Sequence, residues 1–392
     1  MMIRQFVCQQ LFRQLDRLHT GSLQLITPDG QSRTFAGQHP GEAVTLQIHD
    51  WCVVGNMLRK GDIGFAEDYR AGYWETDNLG ALLTLVLSNR SALQGLISGS
   101  WLSRLYALFC AGLRRNSLRG SKKNIQAHYD LGNAFYRLWL DPSMTYSAAI
   151  FQDQQGSLQQ GSLQQAQYRK YDRILARLPR ASGRLLEIGC GWGGFAERAQ
   201  HRGDFDLKGI TLSAQQHDYA RHRLADKATI ALEDYRHQTG RFDHIVSIEM
   251  FEAVGERYWP TYFKKIAALL HKKGKAVVQT ILINEAAFPH YRRSSDFIRN
   301  FIFPGGMLPS FSRFQAEAAR AGLQSAPAFY FGQCYARTLA DWLARFEQQR
   351  DQVRALGFDE GFIRLWRFYL SACMAGFKTG YTNVMQVELS HG

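Results

Sequence analysis

The stretch EIGCGWGG, Glu187 to Gly194, carries G-x-G-x-x-G from Gly189 onward. It follows an apolar run, RLLEI, and leads into a helical pattern, GGFAERAQHRG. A strand, a glycine-rich turn and a helix in that order form a ligand cradle in an α/β sheet. A dinucleotide site would place an acid about 20 residues on, at the end of the second strand, to hold the ribose. Here the second strand, LKGITLS, ends in Thr211-Leu212-Ser213 without one. A carboxylate instead precedes the turn: Glu187 makes the motif E-x-G-x-G-x-G, the first signature of S-adenosylmethionine (SAM) methyltransferases. SAM has no pyrophosphate to seat and brings an amino acid tail. Taken alone, the loop leaves SAM and a nucleotide both open.

The surrounding segments alternate. RLLEIGCG, GGFAERAQHRG, DLKGITLS and AQQHDYARHRLA read as strand, helix, strand, helix, and FDHIVSIEM, a helix from about Tyr258 to His271, and GKAVVQTILI continue the series. Such alternation predicts a parallel sheet covered by helices. The chain before it differs: residues 21–54 read as short strands with turn signals, and from Asn78 apolar residues recur at helical spacing. GLRRNSLRGSKKN, residues 112–124, is small, polar and basic, so it marks the boundary between a module at 1–120 and a domain at 121–392. It reads equally as a solvated linker and as a segment lying on an anionic surface. A tandem repeat, GSLQQ at 156–160 and again at 161–165, reads as an insertion at a helix entry.

With 392 residues, 45% of them hydrophobic, the chain can bury a substantial core. Its 47 Lys and Arg against 34 Asp and Glu give a net charge of +13, which draws it to polyanions, either nucleic acid or an anionic lipid surface. The first residues lack the apolar run and cleavage site of a secretory signal, and the longest apolar tracts fall short of a membrane span. The expectation is a cytoplasmic protein attached peripherally to the inner face of the cell membrane. Six cysteines, Cys8, Cys52, Cys110, Cys190, Cys334 and Cys373, are scattered without zinc spacing, so no metal is expected.

Seven ordered blocks resolve the loop. HYDLGNAFYRLWLDPSMTYSAAIF, LLEIGCGWGGFA, GITLSAQQ, SIEMFEAVGERYW, FIRNFIFPGGMLPS, FGQCYARTLADW and RFYLSACMAGFKTGYTNVMQVELSHG resemble the cyclopropane-fatty-acyl-phospholipid synthase family over residues 125–392. GDIGFAEDYRAGYWETDNL, residues 61–79, is similar to that family's amino-terminal module. The resemblance implies a class I SAM methyltransferase fold, with a mostly parallel seven-stranded sheet and added helices, behind a small α/β module. It implies that Tyr146, Ser147, Gly189, Gly191, Thr211 and Gln216, with Glu187 at the loop and Tyr235 near the adenine, hold SAM.

The activity implied is transfer of the SAM methyl to a cis double bond of a phospholipid acyl chain in a membrane. Proton loss from the new methyl then closes a cyclopropane ring. An alkene is a poor nucleophile and the cation it forms is trapped by water, so such a site must align and exclude. In the family the base is a bound bicarbonate; Glu252 and Tyr335 match two positions that hold it, and Cys373 matches a third family position. Phe297, Phe301, Phe303, Phe251 and Tyr369 are candidates to line an acyl groove and face a cation.

Two positions depart. Ala148 stands where the family often has Cys, and Gln279 where it has His, both around the bicarbonate. Ala148 still offers its backbone N–H and Gln279 its amide, but glutamine does not titrate. An altered base pocket points to two alternatives: a methyl- or methylene-branched product without ring closure, or an idle lipid-binding homologue. No Asn/Asp-Pro-Pro-Tyr motif of nucleic-acid methylation occurs, so no nucleic-acid partner is expected. The resemblance leaves a homodimer open.

Overall fold

The computed structural model describes residues 2–93, 131–151 and 161–392, with side chains described from residue 8. The basic stretch 112–124, Cys110 and the first GSLQQ copy lie outside the described residues. The chain divides into two compact units, each assembled from separated segments.

The first unit comprises Met1–Leu113, His290–Ile302 and Glu347–Tyr381. Its sheet is built from β1 (Thr20–Ile26), β2 (Ser32–Ala36), β3 (His39–Ile48) and β4 (Trp74–Thr76), in the order β2-β1-β3-β4. β1 runs parallel to β3 and antiparallel to β2. The helix Leu79–Ser88 is apolar nearly all round, so it is buried from Leu79 to Leu85; Asn78 caps it by accepting from the Ala81 N–H at 3.0 Å. The late segments join this unit through apolar and polar ties. Phe368, on the helix Glu360–Lys378, meets Phe65 and Trp74 edge-on, and half-buried Asp62 accepts from the Phe297 N–H at 3.2 Å. Burial and the neighbouring Asp296 push the Asp62 carboxyl up to about 7.

The second unit comprises Arg114–Pro289, Phe303–Phe346 and Thr382–Gly392. Its strands are β5 (Ser182–Ile188), β6 (Asp204–Thr211), β7 (Thr229–Leu232), β8 (Phe242–Ile248), β9 (Leu270–Ile283), β10 (Leu323–Ser325), β11 (Phe329–Tyr330) and β12 (Thr382–His391). Seven lie in the order β10-β12-β9-β8-β5-β6-β7, and short β11 pairs with β12 as an eighth. Strands β5 to β9 are parallel; β12 runs antiparallel to β9. Leu185, Leu186 and Ile188 are buried because helices cover both faces of β5. The chain begins mid-sheet at β5, travels to β7 and returns on the other side at β8. Such a reversal leaves a crevice at the carboxyl ends of β5 and β8, where ligands bind in open α/β sheets. The second GSLQQ copy opens the helix Leu163–Leu175: Ser162 and Gln165 form a reciprocal capping box.

Among the described residues no helix is long and apolar enough to cross a membrane.

In the first unit Asn89 is 1% exposed and makes four bonds. Its Oδ1 accepts from the N–H groups of His19 (2.7 Å) and Thr20 (3.0 Å), and its Nδ2 donates to Thr20 O and Leu85 O (2.9 Å each). Asn89→Ala removes the partners of the His19 and Thr20 backbone groups together and should cost about 3 kcal/mol, read as a lower urea midpoint.

Candidate active site

After Ile188 the chain turns through Gly189 (φ 83°), Gly191 (φ 52°) and Gly193 (φ 83°), all in the left-handed region. The N–H groups of Gly189 and Cys190 both donate to Ile210 O at 2.9 Å, pinning the turn to β6. A Cβ at Gly189 would stand 2.9 Å from Met250 Cγ, whereas one at Gly191 would meet nothing within 4 Å. The turn is closely packed at its first glycine and open at its second.

At the adjoining end of β6, Thr211 Oγ1 donates to Gln216 Oε1 at 2.8 Å. Ser213 caps the next helix by accepting from the Gln216 N–H at 3.3 Å. Tyr235, in a single turn after β7, is buried edge-on against Tyr262 at 5.7 Å. Tyr146 sits among the rings of Tyr136, Trp139 and Trp342, 5.3 to 5.6 Å away. Ser147 is held twice by the helix Leu163–Leu175: Gln167 Nε2 donates to its carbonyl at 2.9 Å and Lys170 Nζ to its hydroxyl at 2.6 Å.

Lys170 is fully buried, with Glu249, Asp141 and Glu187 around it. Burial pulls the ammonium down to about 7 against the pull of those carboxylates. Glu187 is buried too, which drives its carboxyl well above the usual range, with Lys170 opposing; its Oε2 has no hydrogen-bond partner. The residues present fit SAM: Gly191 leaves room, and the unpartnered Glu187 oxygen offers an acceptor to the ligand's ammonium. When bound, SAM supplies an electrophilic methyl on a sulfonium. Among the described residues no group of three or more His, Cys, Asp or Glu is placed to hold a metal.

A densely bonded carboxylate belongs to Glu249, the first residue past β8. Its Oε1 accepts from the Ala148 N–H at 2.8 Å and from Gln279 Nε2 at 2.7 Å, and its Oε2 from the Tyr335 hydroxyl at 2.7 Å. Gln279 is oriented in turn: its Oε1 accepts from Gln386 Nε2 at 2.9 Å, and Gln386 Oε1 accepts from Arg173 at 2.7 Å. Glu249 is non-glycine with φ 49°. Glu252, in the turn Phe251–Ala253, accepts from the Ile281 N–H and leaves a buried Oε2 without a partner. Loss of solvation and the nearby Glu249 charge push the Glu252 carboxyl up to about 8. Glu249 is raised less by the same desolvation, because three donors and Lys170 favour its charge.

The candidate residues Ala148, Gln279 and Tyr335 therefore converge on one carboxylate, with Glu252 electrostatically coupled to it. Cys373 falls in the first unit, on the helix Glu360–Lys378, where burial and Asp296 raise its thiol pKa. Phe297, Phe301 and Tyr369 belong to that unit as well, Phe251 and Phe303 to the second. Glu249, Lys170 and the Arg173–Gln386 pair were absent from the sequence expectations. Two signals pointed to them. SIEMFE places an acid at the carboxyl end of a parallel strand, and Lys170 falls on the apolar face set by Leu163, Ala166 and Ile174.

The strand order, the antiparallel β12 and the glycine turn after the first strand of the sheet define a class I SAM-dependent methyltransferase. A sequence model of the family described as mycolic acid cyclopropane synthetase matches residues 116–387, and the chain belongs to this family. It is 37% identical to a tuberculostearic acid methyltransferase of Mycobacterium tuberculosis over 94% of this chain and 87% of that one. It is 33% identical to the cyclopropane-fatty-acyl-phospholipid synthase of Escherichia coli K12, over 86% of this chain and 85% of that one. A solved mycolic acid cyclopropane synthase in complex with S-adenosylhomocysteine (SAH) and CTAB superposes with a TM-score of 0.63 at 32% identity, covering 68% of this chain and 97% of that one.

Two outcomes follow from this geometry. Gly191→Asn fills open space at a left-handed φ that asparagine tolerates, so the fold should survive while SAH affinity, measured by calorimetry, drops about tenfold or more. Folded Glu252 keeps its proton to about pH 8, whereas the unfolded chain releases it near 4.5, so the folded state holds the extra proton between them. Its contribution to stability thus falls as pH rises through that window, by up to about 1.4 kcal/mol per pH unit. Glu252→Gln mimics the neutral acid and removes the slope: its melting temperature should gain on the wild type steadily toward about pH 8.

Proposed function

We propose that this enzyme transfers the SAM methyl to a cis double bond of an unsaturated phospholipid acyl chain and closes a cyclopropane ring by removing a proton from the added carbon. The observation that carries this reading is the convergence of Ala148, Gln279 and Tyr335 on a carboxylate at the carboxyl end of β8, beside the glycine turn. A methyltransferase acting on oxygen or nitrogen needs only to remove a proton from a heteroatom. Ring closure asks more: a firmly oriented base beside a site that shelters a cation.

The phospholipid class is supported by coverage. The likeness to the Escherichia coli phospholipid enzyme extends over 86% of the chain, whereas the mycolic acid synthase structure covers 68%. The residues amino-terminal to the matched methyltransferase segment thus accompany a relative named for phospholipid. Tyr146, Ser147, Glu187, Gly189, Gly191, Thr211, Gln216 and Tyr235 are proposed to hold SAM, with Glu252, Tyr335, Gln279 and Ala148 serving the acyl site. The charge of +13 favours a peripheral seat on an anionic membrane surface at the cytoplasmic face.

Incubation with SAM and vesicles of a monounsaturated phospholipid should yield SAH and a fatty acid heavier by one CH2, with cyclopropane protons in its NMR spectrum. A mass gain with olefinic or methyl-branch signals rejects the ring. No gain and no SAH rejects the substrate class. On vesicles containing anionic lipid the rate should also fall steeply with added salt.

A further inference from the structure

We propose that Glu249 is the built-in base of this enzyme, its own carboxylate standing where the resemblance places a bound bicarbonate. This inference rests on the methyl-transfer reading above and deepens it. A carboxylate and a bicarbonate share a planar O–C–O acceptor and one negative charge, so a pocket built for one suits the other.

The donors identify the occupant. Of the positions that the resemblance sets around bicarbonate, Ala148 donates its N–H, Gln279 its amide and Tyr335 its hydroxyl, and all three bonds end on Glu249 at 2.7 to 2.8 Å. Tyr335 has a single hydrogen, Ala148 a single N–H, and both are engaged. A bicarbonate in the same place would find neither and would add a second negative charge beside the Glu249 carboxylate. The residues present do not fit that ion.

The polarity of the pocket is set from outside it. Arg173 can only donate, so Gln386 must present its oxygen to Arg173 and its amide N–H to Gln279. Gln279 must then turn its own oxygen to Gln386 and its N–H to Glu249. This one-way chain ends on a group that has to accept. It holds Glu249 as a carboxylate and explains why glutamine, a donor with a fixed sense, stands where a titrating ring would leave the sense open.

The backbone supplies an independent observation. Glu249 adopts φ 49°, a left-handed conformation that costs a non-glycine residue about 1 kcal/mol or more and persists where the surroundings demand it. Its N–H donates to Gln279 O at 2.8 Å, so the same residue fixes both ends. The residue as a whole nevertheless keeps part of its surface accessible.

The step balances without another reactant. Methyl addition breaks the carbon–sulfur bond, forms a carbon–carbon bond and leaves a cation on the other alkene carbon. Glu249 takes a proton from the added methyl; that C–H electron pair closes the ring, and the proton passes to solvent. The products are the ring lipid, SAH and a proton.

The test uses the whole enzyme. With SAH present, the wild type should show no saturable binding of 13C-bicarbonate by NMR, and its turnover should not change between bicarbonate-free and bicarbonate-supplemented buffer. Glu249→Gly relieves the left-handed backbone and opens the pocket, so it should keep SAH binding by calorimetry. It should also bind 13C-bicarbonate, lose about 100-fold or more in bicarbonate-free turnover, and recover in part on adding the ion. Saturable bicarbonate binding by the wild type, or none by Glu249→Gly, overturns the assignment, as does full activity of that variant without the ion. The binding arm needs no turnover. A wild type that releases no SAH with unsaturated phospholipid therefore sinks the substrate reading while the base is still judged.

Discussion

The site depends on one carboxylate being kept ionised in a place largely stripped of water. Three neutral donors and a buried ammonium do this for Glu249, and they come from four separate segments: Ala148 before the helix Leu163–Leu175, Lys170 within it, Gln279 on β9 and Tyr335 on the helix Gly332–Gln348. Each donor is placed by the fold. Gln279 and Gln386 face each other in the antiparallel β9–β12 ladder, where a slip of one residue would turn Gln279 to the opposite face. The sheet's register and the site's electrostatics are thus the same constraint viewed at two scales.

Lys170 shows what that constraint costs. A fully buried ammonium loses its hydration, and only the surrounding carboxylates hold its pKa as high as about 7. In exchange it ties the helix Leu163–Leu175 to Ser147, one residue before the N–H that Glu249 uses. With Glu187 driven by burial toward its neutral form, Glu249 and Asp141 still outnumber this single cation, and the excess negative charge suits a cationic ligand and the carbocation that methyl addition leaves. A neutral site of the same shape would hold neither as well.

The architecture was legible because it repeats. Strand and helix alternate from residue 184 onward, each with its own period, and the glycine turn falls where such a sheet reverses. The chemistry was only half legible. Glu252 and Tyr335 were reached through matched blocks. Ala148 and Gln279, read singly, look like losses beside the family pattern. Their sense emerges only with Glu249, since a backbone N–H and an amide are the donors a fixed carboxylate requires. That relation joins residues 148, 249, 279 and 335, which no local motif spans. The grouping of Cys373 and Tyr369 with the first unit was hidden for a similar reason: block order along the chain does not say which core a returning helix joins.

A tethered base also changes what the pocket must do between turnovers. An ion that diffuses in must be captured, and its occupancy follows its concentration. A side chain is always present, and its orientation is settled during folding rather than at each cycle. The corresponding burden is permanent: a strained φ at Glu249 and a charge kept beside Glu252, whose carboxyl is driven to about 8 and so stays neutral. That neutral neighbour matters, because two ionised carboxylates side by side would repel the very charge the donors are arranged to keep. Glu252 thereby lets Glu249 remain the one anion facing the acyl chain. The division between the two acids follows from who donates to each: three side-chain and backbone donors converge on Glu249, while Glu252 accepts from Ile281 and keeps an oxygen unbonded.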